Sequence, residues 1–565
     1  MTLLLFNSLN WGFLQAQGLQ KQFNLSAYNP RADGISDDTR AFVKMFTDVS
    51  NSKGGTVTIP AGEYYLEGNV PVPISSNTTV FAYGATFNFP THLGDRALAV
   101  MFEGEDVSDF SWFGGTFKGF CFDPGVKNNT WEPNSNSRAI VIHTSENGKT
   151  GNLSFRDIQS SRVAGSVINV NGYVKGITSD SVNFATNVSI ENCTLIQSGK
   201  FMWDYGFLWQ IIVFKEYGQD TLAMAYKYFD TTLIHKNMRM VDGDSRIALD
   251  NTKSSSGPDT RISVGQDICF YNDKLPVNIV LGKRYYVVGA TSKYIQVSDS
   301  IGGRPIQFRG AGGPNVHIIN EVRKAFFQYA PIGQGPGKGC IDLVGCKNTT
   351  ISGCRISALG DAMHVQRSHN NVFANNHIMG ARMGAFFLAE YCKNSTITGN
   401  TVDGTNGSRT VSIERSNEDV TVTGNIFKNG GRGSWINQPR NIIMQGNLFI
   451  NNTTKAEKNS ATGRRDFKTG GWQSFPEIYF TTYQKGAKYG PVILRDNIFV
   501  TSPDAAAAVQ FEKNGVDVHV DGNVFKGSTG VIMMDEEDTS ITIGNNQGAV
   551  IKKGREYSGS LFKNE

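Results

Sequence analysis

The chain has 565 residues, of which 39% are hydrophobic and 18% are charged, and it contains 62 glycines. This composition excludes an intrinsically disordered protein and is sufficient for a large core or a repeat array. The net charge of +4 is too small to indicate a nucleic-acid-binding protein, and it would not repel an acidic polymer.

An apolar stretch, LLLFNSLNWGFL, lies near the N-terminus at residues 3–14 and is followed by QAQG. Although basic residues do not precede it, this pattern predicts a secretory signal peptide over 1–18 and a secreted or periplasmic protein. The alternative is a buried N-terminal helix. A run of about 12 apolar-rich residues is too short to span a bilayer, so we expect no membrane association.

The segment RADGISDDTRAF, residues 31–42, concentrates aspartates after a turn signal at Asp33. Ser36 or Asp37 can cap a helix predicted over 37–51, in which apolar residues recur at helical spacing at positions 42, 45, 46 and 49. We therefore interpret the acidic cluster as a capped helix start rather than a metal site.

The helix is followed by KGGTVTIPAGEYYLEG, residues 53–68, which reads as two short strands joined by turns. Together with FNLSAYNPRADGISDDTRAF, this order resembles the N-terminal segment of the pectate-lyase-type right-handed parallel β-helix proteins, which include polygalacturonase relatives and phage tailspikes. The resemblance implies an all-β solenoid whose open end is capped by the helix. Trimers are frequent among these relatives, which leaves a homotrimer open.

The C-terminal half repeats a short β-rich run, a turn, and a second β-rich run that ends in Asn or Cys and an aliphatic residue. Successive copies aligned on this residue are 22, 24, 25 and 22 residues apart, which is one solenoid coil. Asn at a fixed turn can bond to its equivalent in the next coil, so we expect these residues to be structural. The aligned positions are Cys354, Asn376, Asn400, Asn425 and Asn447.

Two stretches interrupt the repeat. Residues 261–319 alternate like several antiparallel strands and predict a β-rich insertion at 201–335, between β-helix segments 19–200 and 336–565. Residues 452–490 are more polar and are a candidate wall of a substrate groove. The seven cysteines have no paired spacing, so neither a zinc site nor a disulfide framework is predicted, and several resemble core positions.

Titratable side chains recur on one predicted outward face of the coils from 338 to 415. Asp342 and His364 occupy equivalent positions on adjacent coils, and Glu390 lies at or near the row of Glu414. A carboxylate beside an imidazole fixes its tautomer, and paired carboxylates suit glycoside cleavage. The alternative is a solvated surface without a catalytic role.

The stretch GKGCIDLVGCKNTTISGCRISALGDAMHV, residues 337–365, resembles the central coils of polygalacturonase-type hydrolases. Asp361 matches the first aspartate of their Gly-Asp-Asp motif, whereas Ala362 and Met383 stand where the second aspartate and the histidine belong. The resemblance therefore carries over the fold and, as an auxiliary carboxylate, Asp361 alone.

The leading functional hypothesis is a secreted glycoside hydrolase that acts on a polysaccharide, with Glu390 and Glu414 as acid and nucleophile or base and the Asp342–His364 pair assisting. The alternatives are a polysaccharide lyase acting on a uronate, which could use Ca²⁺, and a non-catalytic glycan-binding solenoid. The hydrolase needs no metal or cofactor. The substrate-binding candidates are Gln366, Arg367, Arg382, Arg415, Trp435 and Tyr479.

Overall fold

The computed structural model describes residues 21–553 except for 92–98, 121–136, 176–180, 200–233, 250–261, 263, 272–273, 281–282, 292, 301, 315, 321–338, 359–360, 382–383, 405–408, 432, 454–474, 483–485 and 535–539. The predicted signal peptide, residues 1–18, lies outside the described residues. Within the described part, no helix is long and apolar enough to cross a membrane.

Three long sheets of parallel strands wind around one core, which confirms the predicted right-handed parallel β-helix. In each sheet the strands follow one another in chain order, as expected when each turn of the chain adds one strand per sheet. The apolar side of a single coil is covered only by its neighbours, so the stacked coils share one continuous core.

The first sheet contains, among the described residues, the strands Gln22–Asn24, Gly55–Thr58, Thr78–Phe81, Ser108–Phe113, Thr150–Arg156, Ala185–Glu191, Cys346–Ser352, His369–Ala374, Lys393–Thr398, Glu418–Thr423, Arg440–Gln445, Val492–Arg495, Val518–Asp521 and Ile541–Gly544. The second sheet contains Asp33–Asp37, Gly62–Tyr65, Ala85–Asn88, Thr116–Lys118, Gln159–Ser161, Thr194–Ser198, Arg355–Ala358, His377–Met379, Thr401–Asp403, Ile426–Lys428, Leu448–Ile450, Ile498–Thr501 and Val524–Gly527.

The third sheet carries the candidate site. Its described strands are Val72–Pro73, Ala99–Glu105, Ser137–His143, Ile168–Asn171, Gly339–Val344, Asp361–Gln366, Gly384–Leu388, Arg409–Ile413, Ser434–Asn437, Ile478–Thr481, Val509–Phe511, Val531–Met534 and Val550–Lys553. A short antiparallel pair, Tyr173–Val174 with Val182–Asn183, lies outside the three sheets.

The capping helix spans Thr39–Asn51 and follows a 3₁₀ turn at Leu25–Tyr28. Its predicted apolar face is fully buried: Phe42, Met45, Phe46 and Val49. The helix begins two residues later than predicted, and Asp37 Oδ1 accepts a hydrogen bond from Thr39 N at 3.0 Å.

The acidic cluster before the helix is structural, as the sequence indicated. Asp38 accepts hydrogen bonds from the backbone N–H groups of Arg31 and Ala32, at 2.6 and 3.1 Å. Asp33 accepts from Ser36 N and Ile35 N, and these backbone bonds lower the pKa of Asp33 to about 2.

The interruption of the repeat contains a closed antiparallel barrel with its own core. Its strands are Ile234–Met240, Arg246–Ala248, Asp267–Tyr271, Arg284–Ala290, Tyr294–Ser298 and Val316–Asn320. The strands predicted within 261–319 thus belong to this barrel. The boundaries 201–335 remain a prediction, because residues 200–233 and 321–338 lie outside the described part.

The predicted Asn ladder is confirmed between the first and second sheets. The side-chain oxygen of each ladder Asn accepts a hydrogen bond of 2.8–3.0 Å from the backbone N–H one coil earlier. These buried amides satisfy backbone groups that the turn would otherwise leave unpaired. The ladder runs from Cys354 through Asn376, Asn400, Asn425, Asn447, Asn497 and Asn523 to Asn546.

Candidate active site on the third sheet

One row of side chains crosses the outer face of the third sheet. The strand register aligns it along successive coils, while the alternate positions Leu343, Val365 and Leu388 belong to the core. The predicted inward and outward positions are therefore confirmed. We call this row the outer row: Asn169, Asp342, His364, Phe387, Ser412, Trp435, Tyr479 and Gln510.

The outer row is not a solvated surface. His364 is 1% exposed, and both Glu390 and Glu414, which flank the row, are 3% exposed. Polar and charged groups buried to this degree cost free energy unless they are hydrogen-bonded or paired. The contacts of each side chain therefore decide what it can do.

Asp342 and His364 form the contact that the sequence predicted. His364 Nδ1 lies 2.8 Å from Asp342 Oδ1, and the second carboxylate oxygen accepts a hydrogen bond of 3.1 Å from Asn169 Nδ2. Asn171 Nδ2 in turn donates to Asn169 Oδ1 at 2.6 Å. The carboxylate is thus held from both sides, and its contact with Nδ1 fixes which ring nitrogen of His364 faces Asp342.

Glu390 is surrounded by donors. Arg367 and Glu390 lie on adjacent coils, each two positions beyond the paired residues Val365 and Leu388. Arg415 occupies the same position on the next coil. Glu390 Oε1 accepts from Arg367 Nε and Nη2 at 3.2 and 3.1 Å, and Arg415 Nη1 lies 3.5 Å from Oε2.

Gln366 Nε2 adds a further hydrogen bond to Glu390 Oε1, at 2.6 Å. A buried carboxylate between two guanidinium groups is an ion-pair centre, which positions Arg367 and Arg415. Glu390 also lies one position away from the row of Glu414, because the pairing of Leu388 with Ile413 places Ala389 opposite Glu414.

Glu414 has a different set of partners. Its Oε1 accepts a hydrogen bond from Ser412 Oγ at 2.7 Å and lies 3.7 Å from Arg409 Nη1. The guanidinium carbon of Arg409 is 4.5 Å from the ring centre of Trp435, a cation–π contact. Glu414 is thus joined to an aromatic side chain through one arginine.

The remaining predicted carboxylate, Asp361, is buried, and its Oδ1 accepts a hydrogen bond from Gly384 N at 2.9 Å. This contact ties two adjacent coils together. Arg382 lies outside the described residues, so its predicted role in substrate binding stays a prediction.

Two of the predicted substrate-binding candidates, Trp435 and Tyr479, lie on the outer row. Trp435 and Tyr479 stack with ring centres 6.2 Å apart and planes inclined by 18°. Trp435 Nε1 donates to Thr481 Oγ1 at 2.6 Å, which fixes the indole in place.

Sequence reasoning missed Asn169, Asn437, Arg409 and Gln510. The alternation of inward and outward residues, extended to strands Ile168–Asn171 and Val509–Phe511, places Asn169 and Gln510 in the outer row, so the sequence does carry a signal for them. The sequence pattern does not single out Asn437 or Arg409. Asn437 belongs to the site because it contacts Thr481, and Arg409 because it contacts Trp435.

Five of the described cysteines are buried and form no disulfide bond: Cys193, Cys340, Cys346, Cys354 and Cys392. Burial raises the pKa of the Cys392 thiol to about 12 and that of Cys340 still further. Cys340 and Cys392 are therefore core groups rather than nucleophiles.

The chain matches the family described as "Periplasmic copper-binding protein (NosD)" over residues 282–490. Copper prefers imidazole and sulfur ligands, yet the described residues contain no group of three or more His, Cys, Asp or Glu side chains that could hold a metal ion. The described donors thus do not fit a resident copper ion, and we derive no chemistry through one.

Several solved structures are similar in fold, whereas no curated protein matches. The A-module of the mannuronan C-5 epimerase AlgE4 from Azotobacter vinelandii is 9% identical with a TM-score of 0.42, covering 94% of this chain and 100% of that one. The surface adhesin PfbA of Streptococcus pneumoniae is 14% identical, with a TM-score of 0.45 and coverages of 94% and 93%.

An exopolygalacturonase from Thermotoga maritima is 11% identical with a TM-score of 0.42, covering 94% of this chain and 92% of that one. The predicted secreted or periplasmic location agrees with the periplasmic description of the matched family.

Proposed function

We propose that the protein is an extracytoplasmic polysaccharide lyase that acts on a uronate-containing glycan, with His364 as the base. The observation that carries this proposal is the 2.8 Å contact between His364 Nδ1 and Asp342 Oδ1, with Asp342 held by Asn169. An imidazole oriented by a buried carboxylate can act as a general base.

The step is a β-elimination. His364 Nε2 removes the proton on the carbon next to the uronate carboxylate, and the electron pair forms a carbon–carbon double bond as the bond to the leaving glycosidic oxygen breaks. The leaving oxygen takes a proton from solvent. Arg415, which is 18% exposed and only 3.5 Å from Glu390 Oε2, is the group to neutralise the substrate carboxylate.

The second candidate is the glycoside hydrolase with Glu390 and Glu414 as its two carboxylates. It is supported by their location on adjacent coils beside the outer row. The donors around Glu390 weigh against it, because a carboxylate that accepts from Arg367 and Gln366 is arranged as an acceptor rather than as a proton donor.

The test is product analysis on a panel of uronate and neutral polysaccharides. We expect new ultraviolet absorbance from unsaturated uronate ends, and we expect His364→Ala to lower the rate by about 10²- to 10⁴-fold. His377→Ala is the matched control, since His377 is exposed on the second sheet. Because His364 is buried, we also measure its modification by diethylpyrocarbonate with and without glycan. This reports whether His364 on the outer row becomes accessible to a reagent in solution.

Three results would contradict the proposal. Reducing ends without ultraviolet absorbance would favour the hydrolase with Glu390 and Glu414. Binding without any product would favour the non-catalytic glycan-binding solenoid. Full activity of the His364→Ala variant would remove His364 from the mechanism.

A further inference from the structure

Three buried polar atoms at the C-terminal end of the outer row have no hydrogen-bond partner among the described residues. They are the Tyr479 hydroxyl, Asn437 Oδ1 and Gln510 Oε1. The three residues are between 1% and 4% exposed. A buried polar atom without a partner costs free energy, so such atoms are rare in folded proteins and require an explanation.

These atoms lie together. Tyr479 pairs in register with Gln510 on the next coil, and Asn437 pairs with Thr481 on the strand that carries Tyr479. With Trp435, which pairs with Tyr479, these five residues form what we call the distal patch. The patch combines a stacked aromatic pair with several polar groups, the composition of a ligand site.

Two donors of the distal patch are already used, whereas the side-chain carbonyl oxygens of Asn437 and Gln510 have no partner among the described residues. Asn437 Nδ2 and Trp435 Nε1 both donate to Thr481 Oγ1, at 2.8 and 2.6 Å. These bonds fix the Asn437 amide, so its oxygen is the group left to accept. The patch therefore presents carbonyl oxygens and one phenolic hydroxyl beside aromatic rings.

Such a surface selects an uncharged ligand. Arg409 stacks on Trp435 and is paired with Glu414, so its charge is offset. A ligand carboxylate would meet the carbonyl oxygens of Asn437 and Gln510, which repel it. Sugar hydroxyls instead bring the hydrogen-bond donors that these acceptors need, and the apolar face of a sugar ring suits an aromatic pair.

We propose that the distal patch binds an uncharged sugar unit. Combined with the proposed lyase function, on which this part of the inference rests, the substrate is a heteropolysaccharide with a uronate at His364 and a neutral sugar at the patch. Trp435 is three coils from His364 along the outer row, roughly 14 Å at about 4.8 Å per coil. The two sites therefore hold different units of one chain.

Isothermal titration calorimetry tests the inference with defined probes: hexasaccharides of glucose, mannose, galactose and xylose, and of galacturonate and mannuronate. We expect at least one neutral hexasaccharide to bind, and Tyr479→Phe and Gln510→Ala to raise its Kd about 2- to 10-fold each. The matched controls are Tyr83→Phe and Gln445→Ala, which alter exposed side chains that bond to Asp157 and Asp496.

A second readout separates loss of a ligand contact from loss of structure. Removing an unsatisfied hydroxyl should leave the melting temperature of the free Tyr479→Phe variant equal or higher, even though its affinity falls. Failure of every neutral hexasaccharide to bind at millimolar concentration, or unchanged Kd in both variants, would overturn the inference.

The same experiment distinguishes this inference from the proposed function. If His364→Ala is fully active but the distal-patch variants lose affinity for the neutral probe, the lyase proposal fails and the neutral-sugar site stands. If His364 is essential but only uronate hexasaccharides bind, the neutral-sugar site is wrong and the lyase proposal stands.

Discussion

Asn169 Nδ2 donates a 3.1 Å hydrogen bond to Asp342 Oδ2, although 173 residues separate the two along the chain. The bond joins the last coil before the barrel insertion to the first coil after it. Asp342, the residue that contacts His364, is thereby held by a side chain from the coil on the other side of the insertion.

Asn169→Ala should weaken the orientation of Asp342 and lower kcat about tenfold while KM changes little, because one hydrogen bond to a charged group is lost. Nitrogen NMR of labelled histidine supplies a direct readout, since the variant should show a more mixed tautomer for His364. Asn187→Gly, which alters an exposed Asn at a φ of 56°, is the control. An unchanged kcat and tautomer would remove Asn169 from the site.

Glu390→Gln should destabilise the fold by about 3 kcal/mol, because it leaves buried Arg367 without its anionic partner. Glu418→Gln is the matched control: it breaks the exposed 3.0 Å pair with Lys393, for which we expect less than about 1 kcal/mol. Chemical denaturation measures both. If both variants changed the free energy of unfolding equally, the buried pair of Glu390 with Arg367 would contribute no more to stability than the exposed pair.

The fold could be predicted from the sequence because a solenoid repeats its own signal. Each coil supplies the same turn and the same alternation, so an error in one coil is corrected by its neighbours, and the Asn ladder emerged from spacing alone. The register that paired Asp342 with His364 follows from the same alternation.

The candidate site could be predicted only in part. The alternation of the sequence predicts which side chains point away from the core. It does not predict that His364 and Glu390 are nevertheless buried, because their burial depends on contacts between coils. Glu390 occupies the same row as Arg367 and Arg415, one position beyond the row of Glu414. A repeat alignment places these residues in one row, but it does not show that their side chains form buried ion pairs.

Asn425→Ala should destabilise the protein by about 3 kcal/mol or more. The Asn425 side chain accepts from Asn400 N and donates to Ile397 O, each at 2.9 Å, so its removal leaves buried backbone groups without partners. Asn370→Gly is the control, because Asn370 belongs to an exposed ladder and glycine tolerates its φ of 57°. A melting temperature equal in both variants would contradict a structural role for the buried ladder.

Glu477 predicts a pH dependence of stability. Burial raises its pKa from 4.5 to about 7, even though both carboxylate oxygens accept backbone hydrogen bonds, from Asn452 N at 2.6 Å and Ser502 N at 2.8 Å. Between these two pH values the folded state holds a proton that the unfolded state has lost. The stabilising contribution is therefore complete below about pH 4.5 and is lost as the pH rises through about 7, a change of at most about 3 kcal/mol.

Comparison of wild-type protein with Glu477→Gln between pH 4.5 and 8 measures this contribution. The glutamine does not titrate, so the variant should lose the part of the pH slope that Glu477 supplies. The glutamine amide also turns one N–H donor towards a backbone N–H. We therefore expect the variant to be less stable than the wild-type protein at low pH, and the difference in stability to shrink as the pH rises. Glu418→Gln should keep the wild-type slope. If the stability of Glu477→Gln changed with pH in parallel with that of the wild-type protein across this range, Glu477 would be ionised in the folded protein.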